Sequence, residues 1–194
     1  VIVGPTAVGK TDLSLDLAQA LNGEIVNADS MQLYRGMDIG TAKIPVAQRR
    51  GITHHMLDVL DVTQTANVAE FQTQARAVIN ELEARGKRAI IVGGSGLFIN
   101  ALLDDMQFPG NDPDVRDRLY RELDELGVEA LYQRLVDFDP EAAANVLPTN
   151  DRRIVRALEV IEITGEAPNT SLPELAEIVP SVRIGLKRDR TELD

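Results

Sequence analysis

Residues Gly4-Pro5-Thr6-Ala7-Val8-Gly9-Lys10-Thr11 match the spacing G-x-x-x-x-G-K-[ST]. No other stretch narrows the fold as much. Such a loop works only as the bend between a buried strand and a helix. Its glycines let backbone N–H groups turn inward around phosphate oxygens, and the helix points its positive end at the same anion. The flanks fit, since Val1-Ile2-Val3 reads as a buried strand. Leu13, Leu17, Ala20 and Leu21 read as one face of the helix, which Asn22-Gly23 should end. Gly4, Pro5, Thr6, Ala7, Val8, Gly9, Lys10 and Thr11 are therefore candidate diphosphate- or nucleotide-binding residues. Lys10 supplies a mobile charge, and the Thr11 hydroxyl can reach a Mg²⁺ ion.

Downstream, strand and helix patterns alternate. Strands are expected over Glu24–Ala28, His55–Val59 and Arg88–Val92. A long helix carries Val68, Phe71, Ala75, Val78, Ile79 and Leu82 on one face, with Asn67 or Thr65 as N-cap and Gly86 as its stop. Another runs from Ser95 to about Leu103. That alternation predicts an α/β fold with a mainly parallel sheet flanked by helices. After Pro109 the pattern changes to helices alone, over Asp114–Leu126, Val128–Val136, Pro140–Val146 and Arg152–Thr164. The expected organisation is a P-loop α/β core at 1–110, an all-α insertion at 111–170, and a return strand to the core within 171–194. Residues 30–53 form a long irregular stretch, and loops of that length are usually functional.

The motif fixes a polyphosphate and leaves the reaction open. A kinase would transfer a phosphoryl group, an NTPase would hydrolyse one, and a prenyltransferase would use the diphosphate as leaving group. An NTPase needs an Asp after an apolar strand to help hold Mg²⁺. Met56-Leu57-Asp58 is a weak match, and Ala89–Val92 ends in Gly93-Gly94. No Asn/Thr-Lys-x-Asp guanine-reading segment is found, so a GTPase switch is disfavoured. The chain has no cysteine, which excludes disulfides and thiolate metal sites. No apolar run or signal peptide points to a membrane, and a cytoplasmic protein is expected. A central strand of three residues is short, so the natural chain is expected to begin upstream of Val1.

Asp29-Ser30-Met31-Gln32-Leu33-Tyr34-Arg35-Gly36-Met37-Asp38-Ile39-Gly40-Thr41-Ala42-Lys43, following the P-loop, resembles the tRNA dimethylallyltransferase (tRNA isopentenyltransferase) family. His55-Met56-Leu57-Asp58, Val92-Gly93-Gly94-Ser95, Asp112-Pro113-Asp114-Val115-Arg116, Asp139-Pro140 and Arg153 through Val160 extend the likeness in order. Each match is short. Their number and order, across nearly the whole chain, make the resemblance specific.

The resemblance implies transfer of a dimethylallyl group from dimethylallyl diphosphate to the N6 amine of an adenosine beside a tRNA anticodon. It implies Mg²⁺ as cofactor and Asp29, Lys10 and Thr11 as catalytic residues, with Asp29 the base for a poorly nucleophilic amine. Thr6 becomes a donor contact. The implied tRNA contacts are Asp29, Ser30, Met31 and Gln32, then Ser95, Arg116, Arg152, Arg153, Ile154, Val155 and Arg156. Ser95 stands where the family often has threonine, and its plainer role is the N-cap of the following helix. Arg116 could simply pair with Asp112 or Asp117, and the Arg152 cluster with Asp151 or Glu159. Arg35 and Lys43 read equally as solvated charges, and His54 and His55 as structural.

Net charge is −11, which argues against a nucleic-acid partner. Residues 111–194 carry 11 Lys/Arg against 19 Asp/Glu and are the more acidic part, yet hold the densest arginine cluster. Members of the family continue beyond the position of Asp194, where an arginine for the diphosphate and further basic surface are expected. The alternatives are an adenylate isopentenyltransferase acting on free AMP, ADP or ATP, and a P-loop small-molecule kinase. A monomer is expected.

Overall fold

The computed structural model describes residues 1–168 and 176–188. They divide into two compact units, one of residues 1–106 and 176–188, the other of 107–168.

In the first unit the motif does what its spacing demands. Strand β1 (Ile2–Val3) runs into the loop, and helix α1 (Lys10–Ala20) leaves it. Strand β2 (Gly23–Asn27), strand β3 (His54–His55), helix α2 (Val68–Ala84), strand β4 (Arg88–Gly93) and helix α3 (Gly96–Leu103) follow. Strand β5 (Ile184–Gly185) closes the sheet. The order is β3-β2-β4-β1-β5, and every pairing is parallel. A parallel sheet must be covered on both faces. Ile25 and Ile90 face Leu15 and Ala18 of α1, while Val26 and Ile91 join Phe71, Phe98 and Leu102 from α2 and α3. The two phenyl rings lie tilted with centroids 4.7 Å apart.

Several expectations need correction. The buried face of α1 is Ser14, Leu15 and Ala18, with Leu13 and Leu17 flanking it and Ala20 and Leu21 outside. Small residues at 14 and 18 let the helix close on the sheet, and the buried Ser14 hydroxyl donates to Thr11 O at 2.6 Å. Strand β3 pairs through His54 and His55 only, because Met56 (φ 59°) and Asp58 (φ 56°) turn the backbone left-handed and end the ladder. The long loop holds a 3₁₀ turn, Ser30–Leu33, and a second at Val46–Gln48. Of the expected return segment, 171–175 and 189–194 lie outside the described residues.

Charged and polar side chains missed by hydrophobic patterning brace this unit. Arg76 of α2 donates to the Leu102, Ala101 and Asp104 carbonyls, and Gln72 to Ala101 and Met106. The Ala101 and Leu102 carbonyls are acceptors that the end of α3 leaves without intrahelical partners, and those of Asp104 and Met106 follow it. Glu24 is buried in the sheet, within reach of His55 (2.7 Å), Arg85 (3.2 Å) and Lys87. Burial alone would raise its carboxyl, but Lys87, His55 and Arg85 hold it at about 2.

The second unit packs α4 (Pro113–Leu126), α5 (Val128–Phe138), α6 (Pro140–Ala144) and α7 (Asp151–Thr164) around Leu119, Leu131, Leu135, Ile154 and Leu158. Asp112, Asp139 and Asn150 cap three of the helices, and Pro113 and Pro140 take the first position of two.

The sign of the Glu24 effect follows from its depressed pKa. An unfolded glutamate titrates near about 4.3. The stabilisation is complete above that pH and is lost as pH falls toward about 2. Its ceiling is roughly 3 kcal/mol, less the screening of the partly exposed Arg85 and Lys87. Urea unfolding between pH 3 and 7 should show a slope that Glu24→Gln flattens, with the variant less stable at pH 7.

Candidate active site

Strand β1 delivers the chain to Gly4, whose φ is +152° and whose missing Cβ would meet Leu186 O at 2.6 Å. Only glycine fits a backbone approach of that kind. Ala7 (φ 67°) and Gly9 (φ 92°) complete the turn, and Gly9 is the N-cap of α1. Lys10 Nζ donates to the carbonyls of Gly4 (2.8 Å) and Pro5 (2.6 Å). Burial pushes this ammonium below its ordinary range, and the Asp29 carboxylate opposes that shift.

Asp29 lies two residues beyond β2, at the carboxyl end of the sheet, where open α/β folds bind ligands. It is the N-cap of the turn Ser30–Leu33, and its Oδ1 accepts the Met31 N–H at 2.9 Å. Among the described residues, Oδ2 receives no hydrogen bond. A cavity of about 790 Å³ opens here. Thr6, Ala7, Gly9, Lys10 and Thr11 form one wall, and Asn27, Asp29, Met31 and Gln32 another. The loop 36–42 forms a third.

Some predicted residues lie elsewhere. Gly4, Pro5 and Val8 are not on the cavity wall; Val8 Cγ2 lies 3.2 Å from where a Cβ on Gly4 would stand. Ser30 and Ser95 also lie off the wall, and their hydroxyls are 3.4 Å apart. Ser95 does occupy the N-cap position of α3, but its hydroxyl does not cap the helix and instead takes the Ser30 N–H at 3.4 Å.

The second unit divides the predicted arginines. Arg116 and Arg156 converge on Glu159, a carboxylate with no exposure. Arg116 binds it through two nitrogens at 3.1 and 2.8 Å, Arg156 at 2.8 Å, and the Asp112 N–H at 3.0 Å. Burial would raise this carboxyl, but the two guanidiniums and the Asp112 N–H keep it below its ordinary range. Arg156 also donates to Pro109 O and Gly110 O. A buried carboxylate needs this compensation, so both arginines have structural work. The expectation for Ile154 and Val155 changes for their side chains, which are buried in the core of the unit and are not presented to a partner. Arg152 and Arg153 are exposed and make no ion pair among the described residues.

Lys43 was legible only as a surface charge, yet its side chain is 3% exposed. Its three ammonium hydrogens have three acceptors: Tyr34 O (2.6 Å), Asp38 Oδ1 (2.9 Å) and Asp58 Oδ1 (2.7 Å). Burial would lower this group, but the two carboxylates hold it above its ordinary range. It ties the base of loop 36–42 to the strained Asp58. Arg35, by contrast, makes an exposed pair with Asp61 at 2.9 Å. His54 Nδ1 lies 2.9 Å from Ile52 O and also lines the cavity, and His55 Nε2 lies 2.7 Å from Glu24.

The family model described as IPP transferase matches residues 32–194. The tRNA dimethylallyltransferase of Thermobifida fusca is 59% identical over all of this chain and 62% of its own length. That of Frankia alni is 59% identical over 99% of this chain and 66% of its own length. The chain thus spans less than two thirds of these relatives. A solved eukaryotic dimethylallyltransferase acting on tRNA superposes with a TM-score of 0.83 at 31% identity, over 95% of this chain and 47% of that one. The full-length tRNA isopentenylpyrophosphate transferase of Bacillus halodurans gives 0.54 at 47% identity, over 86% and 55%.

Arg156→Ala strips Glu159 of one partner and should cost the helical unit on the order of 2 kcal/mol. Arg153→Ala should leave thermal melting unchanged. Circular dichroism melts of the two variants check the division.

Proposed function

The chain belongs to the IPP transferase family, and from that we propose that it transfers a dimethylallyl group from dimethylallyl diphosphate to N6 of an adenosine next to a tRNA anticodon. The observation that carries the reading is that Lys10 of the phosphate loop and the Asp29 carboxylate line one cavity, with the carboxylate close enough to favour the charged ammonium. An anion seat faces a base.

The amine attacks the allylic carbon of the donor as the C–O bond to diphosphate breaks. A new C–N bond forms, and the departing oxygen keeps the electron pair. Asp29 takes the N6 proton, which offsets the positive charge growing on nitrogen. The loop amides and Lys10 meet the charge growing on the diphosphate. Lys10 rests on two neutral carbonyls, and its flexible stem lets it exchange them for phosphate oxygens.

Mg²⁺ fits this arrangement without a protein-built cage. Among the described residues no group of three or more His, Asp or Glu could hold a metal. Magnesium with a polyphosphate commonly needs only one or two protein groups, and the Thr11 hydroxyl on the cavity wall would be one. When bound there, Mg²⁺ supplies further positive charge to the leaving group.

For RNA, the candidate contacts narrow to Asp29, Met31 and Gln32 at the cavity and to Arg152 and Arg153 on α7. Ser30, Ser95 and Arg116 remain proposals of secondary rank, and Arg156 only through whatever its guanidinium spares from Glu159. No helix among the described residues is long and apolar enough to cross a membrane. A cytoplasmic monomer is part of the proposal.

Labelled dimethylallyl diphosphate offered with either unmodified tRNA or AMP decides the acceptor. Label is expected in tRNA; label in AMP alone sinks the assignment, and consumption of ATP without prenyl transfer points to a kinase. Asp29→Ala should abolish transfer while pyrophosphate binding persists by calorimetry. Arg153→Ala should weaken tRNA binding and reduce its salt slope by about one; an unchanged slope removes Arg153 from the interface.

A further inference from the structure

We infer that Asn27 is a positioning residue for the reaction, one that fixes where Asp29 stands; this rests on the reading of Asp29 as the base. Asn27 is the last residue of β2, faces the cavity, and is 4% exposed. Its Oδ1 accepts the Asp29 N–H at 3.1 Å, and its Nδ2 donates to Asp29 O at 3.0 Å. Side-chain amide and backbone match edge to edge. An amide carries acceptor and donor on one side, and an extended residue presents its own N–H and C=O on one side. Asp29 is extended, with φ −105° and ψ 119°. Asn27 therefore does for Asp29 what a neighbouring strand would do, two residues after β2 has ended.

The second Nδ2 hydrogen goes to Met56 O at 2.9 Å. Met56 is buried and left-handed, an uncommon state for a residue with a side chain. That bond ties the Asp29 turn to the segment that carries Asp58, and Asp58 N in turn donates to Gln32 O at 3.3 Å. All of the amide's hydrogens are used, and no buried side-chain polar atom lacks a partner among the described residues. Asn27 is thus the link through which the sheet sets the height and direction of the Asp29 carboxylate above the cavity. It need not touch either substrate.

Rate depends steeply on such placement: a shift of about 1 Å can cost about a hundredfold. Serine and alanine differ at this site chiefly in a hydroxyl that can still accept the Asp29 N–H. Packing would treat them alike; positioning would not. In steady-state assays with dimethylallyl diphosphate and unmodified tRNA, kcat should fall about tenfold for Asn27→Ser and about a hundredfold for Asn27→Ala. The KM for tRNA and the pyrophosphate Kd should stay within about threefold. Amide exchange at Asp29, followed by NMR, should speed up in the same order. Equal kcat for the two variants, or losses of KM and Kd in step with kcat, overturn the inference. The exchange series reads positioning without turnover, so it decides even if the unaltered chain transfers nothing; unchanged exchange at Asp29 in Asn27→Ala overturns the inference. Transfer at the unaltered rate by Asp29→Ala would instead sink the general-base reading, a separate result.

Discussion

Where β2 leaves the sheet, the Ala28 carbonyl oxygen sits 2.3 Å from the place a Cβ on Gly93 would occupy. Gly93 ends β4, and it also pairs with Val3 at the end of β1. Three strand ends therefore converge on one residue that has no side chain. Ala28 can come close enough to donate its N–H to Val92 O at 2.8 Å. The phosphate loop then leaves β1 on one side of that point and Asp29 leaves β2 on the other. Any side chain at 93 would wedge the strands apart at the edge where the cavity forms. The glycine pair that looked like the lack of a metal-binding aspartate is better understood as the condition for bringing the loop and Asp29 together.

Much of the frame was legible because its causes are local. The phosphate loop is a contiguous backbone conformation, and the α2 stripe from Val68 to Leu82 is a periodicity within one helix. Asn67, Asp112 and Asp139 cap helices that begin one residue later. What escaped was set by contacts between distant segments. Lys43 reads as a surface charge until 34, 38 and 58 are folded around it. Arg76 looks like one more polar residue on α2 until the end of α3 arrives beside it. Leucine spacing points to the wrong face of α1, because close packing on a sheet selects the small Ser14 and Ala18. Glu159 is visible in the sequence as a partner for the Arg152 cluster; that it is fully buried and shared with Arg116, forty-three residues away, comes only from the fold.

That carboxylate also changes how the chain's acidity should be understood. A formal charge of −11 counts every group equally. Glu24 and Glu159 are buried among cations and contribute little field outside, and their cations are spent on them. Arg152 and Arg153 are different, since no carboxylate among the described residues cancels them. An acidic protein can thus offer a small positive feature whose strength the overall balance does not predict.

Loop 36–42 bears Ile39 at 99% exposure, yet its base is fastened. Lys43 holds both Tyr34 and Asp38 to Asp58, Gln32 Nε2 reaches Thr41 O at 2.9 Å, and Thr41 Oγ1 reaches Met37 O at 2.6 Å. The cavity's third wall is thus pinned by hydrogen bonds at its base while its tip stands in solvent. In the proposed reaction a base has to leave its stack to bring its amine past that wall.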